Sequence, residues 1–269
     1  MKYALAAICA PLVLLGAALP ASAQPSPAAQ PGTAPGLLLG IEGYGSNYNE
    51  PGHDNLSGPF FGATGTYNFK RGPYFLSFDG RADIGYLNSS SGKGDTDGLW
   101  NFEGEFRPLL GVDLPINPTM TFSPYAGLGY RIVYDNQDQT SAGGAASPGF
   151  DRTSQYFYVP IGASLEMTSG NWHMTPNVEF DYLVQGWQSD HLQQIGYDSS
   201  LYTHQNDGYG LRGSLYVGTG PLTFGPFIRY WNIRQSSSAP LLASGSQVGS
   251  ASVPQNDTVE AGMGMKFQF

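Results

Sequence analysis

Residues Thr258 to Phe269 alternate without a break, and this stretch constrains the fold more than any other. Val259, Ala261, Met263, Met265, Phe267 and Phe269 fall on one side of an extended chain. Thr258, Glu260, Gly262, Gly264, Lys266 and Gln268 fall on the other. Successive side chains of a strand point to opposite faces, so a period of two means one strand between two different media. A helix would scatter the same residues around its surface.

The same pattern recurs along the chain. Ten segments alternate, with Leu37 to Ile41, Phe61 to Phe69, Tyr74 to Tyr86, Trp100 to Leu110 and Ala126 to Ile132 as the first five. Phe157 to Leu165, Trp172 to Tyr182, Tyr209 to Val217, Leu222 to Tyr230 and the C-terminal stretch complete them. Nine acids fall on the polar faces: Glu42, Asp79, Asp83, Glu103, Glu105, Glu166, Glu179, Asp181 and Glu260. Six bases join them: Arg81, Arg107, Arg131, Arg212, Arg229 and Lys266. The apolar faces carry no charge. A sandwich in water would put charge on its outer face, whereas a barrel with lipid outside and a polar lumen requires this segregation. The final strand and its terminal Phe269 resemble the C-terminal signal of outer-membrane β-barrels, which implies recognition by the barrel-assembly machinery.

The expected fold is therefore all-β: a transmembrane antiparallel up-and-down barrel over residues 36–269, most simply of ten strands, with eight or twelve also open. Met1-Lys2, the apolar run Ala4 to Leu19 and Ala21-Ser22-Ala23 read as a secretory signal peptide over 1–23. Residues 24–35, rich in Pro, Ala and Gln, read as a flexible lead-in. These features predict export to the bacterial outer membrane, with membrane lipid and lipopolysaccharide as partners. The one cysteine, Cys9, lies in the leader, which excludes disulfides and thiolate chemistry from the exported chain. A formal charge of −9 argues against a nucleic-acid partner. No cofactor or metal site is expected: His53 and His204 fall in loops without ligand spacing, and His173, near a short turn, reads as a packed or hydrogen-bonded side chain.

Turn chemistry suggests the orientation. Lys70-Arg71-Gly72-Pro73, Ser169-Gly170 and Gly220-Pro221 are tight-turn sequences. Polar links near 45–58, 88–98, 135–153, 188–206 and 235–257 read as long external loops, the bacterial pattern. Phe69, Tyr74, Trp172 and Phe269 would mark the inner interface; Tyr86, Trp100, Tyr134 and Tyr182 would mark the outer. Pro160 lies deep in its strand, where a lost ladder bond needs an explanation.

Ser123-Pro124-Tyr125-Ala126-Gly127-Leu128-Gly129-Tyr130-Arg131 and Gly149-Phe150-Asp151-Arg152-Thr153-Ser154-Gln155-Tyr156-Phe157-Tyr158-Val159-Pro160-Ile161-Gly162 go beyond generic barrel sequence. With Phe78-Asp79-Gly80-Arg81 and Phe102-Glu103-Gly104-Glu105-Phe106-Arg107, they resemble a family of small proteobacterial outer-membrane barrels without an assigned activity. The resemblance covers about residues 74 to 165 and implies fold and location only.

The candidate site is the interior network of Asp79, Arg81, Asp83, Glu103, Glu105, Arg107, Arg131, Glu179, Asp181, Arg212, Arg229 and Glu260. A ten-stranded lumen is narrow, and buried charges need partners. The network reads as a structural plug or as the lining of a narrow path for ions or small solutes. A hairpin centred near Lys93 would set Arg81 against Glu105, Asp79 against Arg107, and Asp83 against Glu103, the last a candidate cation site. Glu166 would face His173 across the Ser169-Gly170 turn. A surface-binding barrel acting through acidic loops is an alternative. The omptin proteases, ten-stranded barrels with an acidic pair and an Asp/His pair at the external mouth, are another; Asp95, Asp97, Asp190 and His191 would be the counterparts. Adjacent Asp190 and His191 point to opposite faces of a strand, so the sequence supports no catalytic residues.

Overall fold

The computed structural model describes residues 33–269 apart from 53, 92–93 and 137–148. The leader at 1–23 and residues 24–32 lie outside the described residues. Ten strands form the wall. In chain order they are β1 (Gly36–Asn49), β2 (Asp54–Arg71), β3 (Tyr74–Ser91) and β4 (Gly94–Val112). Next comes β5, built from Met120–Gly127 and Gly129–Asp135, then β6 (Arg152–Ser169) and β7 (Trp172–Asp190). β8 (Gly208–Thr219), β9 (Leu222–Ile233) and β10 (Asn256–Gln268) complete it. Every neighbour pair is antiparallel, and β10 pairs with β1 from Leu38↔Gln268 to Asn49↔Asp257, so the sheet closes on itself. Closure leaves no unpaired edge.

The outer surface is apolar along its length. Ile41, Phe61, Ile84, Phe106, Leu110, Val178 and Met263 are all exposed. Water would not tolerate such a continuous belt; hydrocarbon does. Tyr86 and Trp100 face each other across β3 and β4 with ring centroids 4.0 Å apart. Phe69, Tyr74, Trp172 and Phe269 are exposed at the short-turn end.

The wall extends well past the apolar belt. A spanning strand needs about 9–11 residues, and β2, β3 and β6 have 18 each. Two links that read as loops are therefore mostly strand. β1 runs to Asn49 and β2 starts at Asp54, while Ser89 pairs with Thr96 beyond a bulge in the β3–β4 hairpin. Once a strand clears the lipid its outer face meets water, so alternation fades while the backbone ladder continues. The external end also carries a short 3-10 turn at Leu192–Ile195 and a strand at Leu201–Gln205 that folds back on β7. A separate hairpin joins Ala239–Ala243 to Ser246–Ala251. Leu114–Asn117 adds a few residues beside β5 at the opposite end.

Two local results depend on neighbouring strands. β5 is interrupted at Leu128, whose amide donates to the Pro108 carbonyl of β4. On the other side the β5–β6 ladder stops at Ala126↔Ile161 and resumes at Gly129↔Tyr158. Pro160 falls in that gap, so its missing amide coincides with the interruption and its depth in the strand is accounted for. The expected facing of Glu166 and His173 is corrected. The turn is Gly170-Asn171 with Ser169 opposite Trp172, which places His173 against Thr168. Gly170 takes a φ of 60°, the left-handed geometry such a two-residue turn demands.

Candidate functional site

The β3–β4 register pairs Asp79 with Arg107, Arg81 with Glu105, and Asp83 with Glu103. Inward faces of β1, β5, β7, β8, β9 and β10 bring the other groups to the same height. Arg81 is the hub. Its Nε donates to Glu105 at 2.9 Å, its Nη1 to Asp83 at 2.7 Å, and its Nη2 to Glu103. The guanidinium thus lies between Asp83 and Glu103 and supplies the cation that these two carboxylates were expected to attract. Among the described residues no cluster of three or more potential ligands could hold a metal ion.

The network continues around the lumen. Arg131 bridges Glu103 and Glu260, the latter at 2.8 Å. Arg229 reaches Glu42 and lies 3.3 Å from Glu260. Arg212 grips Glu105 through both terminal nitrogens, at 2.8 and 2.6 Å, and turns its Nε to Asp181 at 2.7 Å. Arg107 joins Glu179 at 2.5 Å to Asp79 at 2.9 Å. Tyr158 donates to Glu105 and Tyr125 to Glu179. Every guanidinium thus serves at least two carboxylates. Asp83 and Asp181 are fully buried, and Glu260 nearly so. Such a layer is stable only when its members are paired, because an isolated charge in this environment costs several kcal/mol.

Sequence reasoning missed what lies above and below. Toward the external end the inward faces become apolar. Tyr44, Leu56, Phe60, Leu87, Leu99 and Phe227 pack as one cluster, and Tyr156, Tyr158, Leu183, Trp231 and Ile233 as another. Trp231 meets Tyr158 edge to face at 5.1 Å, and its ring faces the guanidinium carbons of Arg131 and Arg212 at 5.6 and 5.8 Å. Adjacent apolar residues were the available signal: Phe60-Phe61, Tyr86-Leu87, Leu99-Trp100, Tyr182-Leu183 and Tyr230-Trp231 each load both faces of a strand. Higher still, Arg152, which the sequence places in a loop, is half-buried against Asp190 at 3.1 Å and near Glu50 at 3.8 Å. Asp190 also accepts from Gln188 at 2.9 Å.

At the short-turn end Asp113 gathers Lys70 at 2.5 Å, Ser123 at 2.7 Å, and both the amide and hydroxyl of Thr33 at 3.0 Å. Asn68 holds the Ala34 carbonyl at 3.0 Å. Thr33 to Pro35, the end of the segment read as a flexible lead-in, is thereby tied to the barrel. Asp113 lies in a connection outside the membrane-spanning strands. Burial works to raise its carboxyl, but hydrogen bonds from Lys70, Ser123 and Thr33 outweigh burial and hold it below the usual carboxylate range. A depressed folded pKa contributes stability that is full above the ordinary value of about 3.9 and is lost as pH falls through the folded value. Asp113→Asn is expected to speed hydrogen exchange at the Thr33 amide about tenfold at neutral pH, and the difference from the parent should shrink on acidification below about pH 4. Equal exchange in both proteins at neutral pH would refute the clasp.

A closed antiparallel barrel with an uncharged outer belt and its charges in the lumen defines an integral barrel of the bacterial outer membrane. The chain belongs to the outer membrane protein beta-barrel domain family, whose model matches residues 12–196. The fold is similar to that of the outer membrane protease OmpT from Escherichia coli, with a TM-score of 0.57 at 10% identity over 87% of this chain and 95% of that one. The translocator domain of the autotransporter NalP from Neisseria meningitidis gives a TM-score of 0.40 at 10% identity, covering 88% and 90% of the two chains. The Ralstonia pickettii toluene transporter TbuX gives 0.39 at 8% identity, covering 88% and 90%. A comparison with curated proteins gives no match. At 10% identity the likeness to OmpT is one of fold alone.

Proposed function

We propose that this protein is a non-conducting, non-enzymatic outer-membrane barrel whose lumen is sealed by the guanidinium–carboxylate layer and the aromatic core above it. The observation that carries this reading is the stacking of a cross-linked charge layer, which leaves a cavity of only about 130 Å³, on a filled aromatic layer. Arg81 and its partners occupy the cross-section at one height, and Tyr158, Leu183 and Trp231, all fully or almost fully buried, fill the next. An ion entering from the short-turn end meets cross-linked charges and then an apolar layer, and neither rehydrates it. The plug is thus favoured over the path.

Asp190, a candidate member of an omptin-like pair, has its carboxylate engaged by Arg152 and Gln188. That engagement supports a structural role for it rather than one as the orienter of His191. The apolar belt fits outer-membrane lipid and the acyl chains of lipopolysaccharide as the proposed surroundings.

Planar-bilayer recording on the refolded protein tests the seal, with folding confirmed by heat-modifiable gel mobility. A silent bilayer is the expected result. Discrete openings of the parent whose ion preference changes in Glu105→Gln would replace the plug with a selective channel.

A further inference from the structure

The turn-side half of the lumen is open. A cavity of about 1610 Å³ occupies it, bounded by the short turns at one end and by Asp79 and Arg107 at the other. We propose that this vestibule binds a periplasmic solute carrying an anionic group on a polyhydroxylated body, with Lys266 as the anchor for the anion.

Lys266 carries the argument. It projects inward from β10, is half-buried and lines the cavity. Its ammonium lies over the Tyr216 ring, 4.6 Å from the centroid. Among the described residues, it is the one cation of the lumen with no carboxylate within 4.0 Å. Arg81, Arg107, Arg131, Arg152, Arg212 and Arg229 each have one or more. Lys70, at the mouth, is taken by Asp113. A cation drawn partly out of water without an anion is unfavourable, and a ring face compensates it only in part. An anionic ligand would complete the set with charge-assisted hydrogen bonds.

The remaining lining indicates the body of the ligand. Thr66, Ser214, Thr223 and Asn177 present hydroxyl and amide groups, and Tyr125 and Tyr216 present ring faces, in one cavity. Hydroxyls and amides can exchange hydrogen bonds with several ligand hydroxyls, and ring faces accept their C–H surfaces. The acids nearest Lys266 are already paired with arginines, Glu42 with Arg229 among them. Asp79 is held by Arg107 at 2.9 Å, and Glu166 stands on β6, four strands around the wall from β10. Carboxylate and phosphate share the required chemistry, so a sugar acid and a sugar phosphate are the two arms of the test.

Isothermal titration of the refolded protein in detergent would use glucuronate, glucose 6-phosphate and glucose as probes. At least one anionic probe is expected to bind with a dissociation constant of about 1 mM or tighter. Lys266→Gln should weaken that binding at least tenfold and leave any binding of glucose unchanged. The better of the two anions identifies the head group. Arg234→Gln, at an exposed external arginine, should bind as the parent does; equal weakening there would trace the effect to net charge and overturn the site. Failure of both anions to bind the parent would overturn it too. Acetylation footprinting of the unmutated protein removes any dependence on the variant's folding. Protection of Lys266 by the bound anion is the expected result, and unchanged labelling would refute the anchor.

Discussion

Arg81→Met is expected to destabilise the folded barrel by about 3–5 kcal/mol, the cost of removing one partner from a buried charge pair. Arg81 is the sole residue among those described that forms an ion pair with Asp83, a fully buried carboxylate. Glu103 and Glu105 would keep Arg131 and Arg212 respectively. The loss therefore concentrates on Asp83, and Arg81→Met with Asp83→Asn should recover a measurable part of it. Urea unfolding from lipid vesicles, followed by tryptophan fluorescence, reads the difference as a shift of midpoint at constant slope. A double-mutant cycle then isolates the pair. Additive losses in the two single variants would show that Asp83 is not held by Arg81.

Trp231→Ala is expected to have an effect of similar size for a different reason. Trp231 is 1% exposed and fills the layer between Tyr156, Tyr158, Arg131 and Arg212. Truncating a buried aromatic to alanine costs about 3–5 kcal/mol through lost transfer energy and the void left behind. The void here adjoins charged groups, so water can enter it, unlike an all-apolar cavity. The variant should unfold at lower urea and should also show brief openings in a planar bilayer where the parent is silent. A destabilised variant that stays silent would place the seal in the charge layer alone. An unchanged unfolding midpoint would refute a packed upper core.

These two residues illustrate how much of the site could be read in advance. Arg81 and its cross-strand partners were legible because a hairpin fixes register locally. With the hairpin centre expected near Lys93, Asp79, Arg81 and Asp83 are set against Arg107, Glu105 and Glu103 without reference to the rest of the chain, and the register has these pairs. Trp231 was not legible as a seal. It sits beside Tyr230 on β9, and alternation assigns one of the two to lipid while leaving the use of the other open. The outer hairpins were misread as loops for a related reason. Polar residues on both faces look like loop composition, while the ladder that carries β3 to Ser91 consists of backbone groups common to every sequence.

The sequence by itself determined the barrel class, which alternating residues meet lipid and which charges point into the lumen. Each of these follows from one side chain at a time and the medium it must enter, so a period of two is enough. Closure of the sheet decided that the strands number ten rather than eight or twelve. Only the tertiary structure decided which charges meet. Arg131 joins Glu260 and Arg229 joins Glu42, partners 129 and 187 positions apart in the chain. Closure of β10 on β1 brings them together, and the curvature of the wall sets their distances. The break at Leu128 beside Pro160, the aromatic layer and the unpaired Lys266 above an open vestibule have the same origin. They depend on how ten inward faces share one narrow volume, and no single strand contains that information.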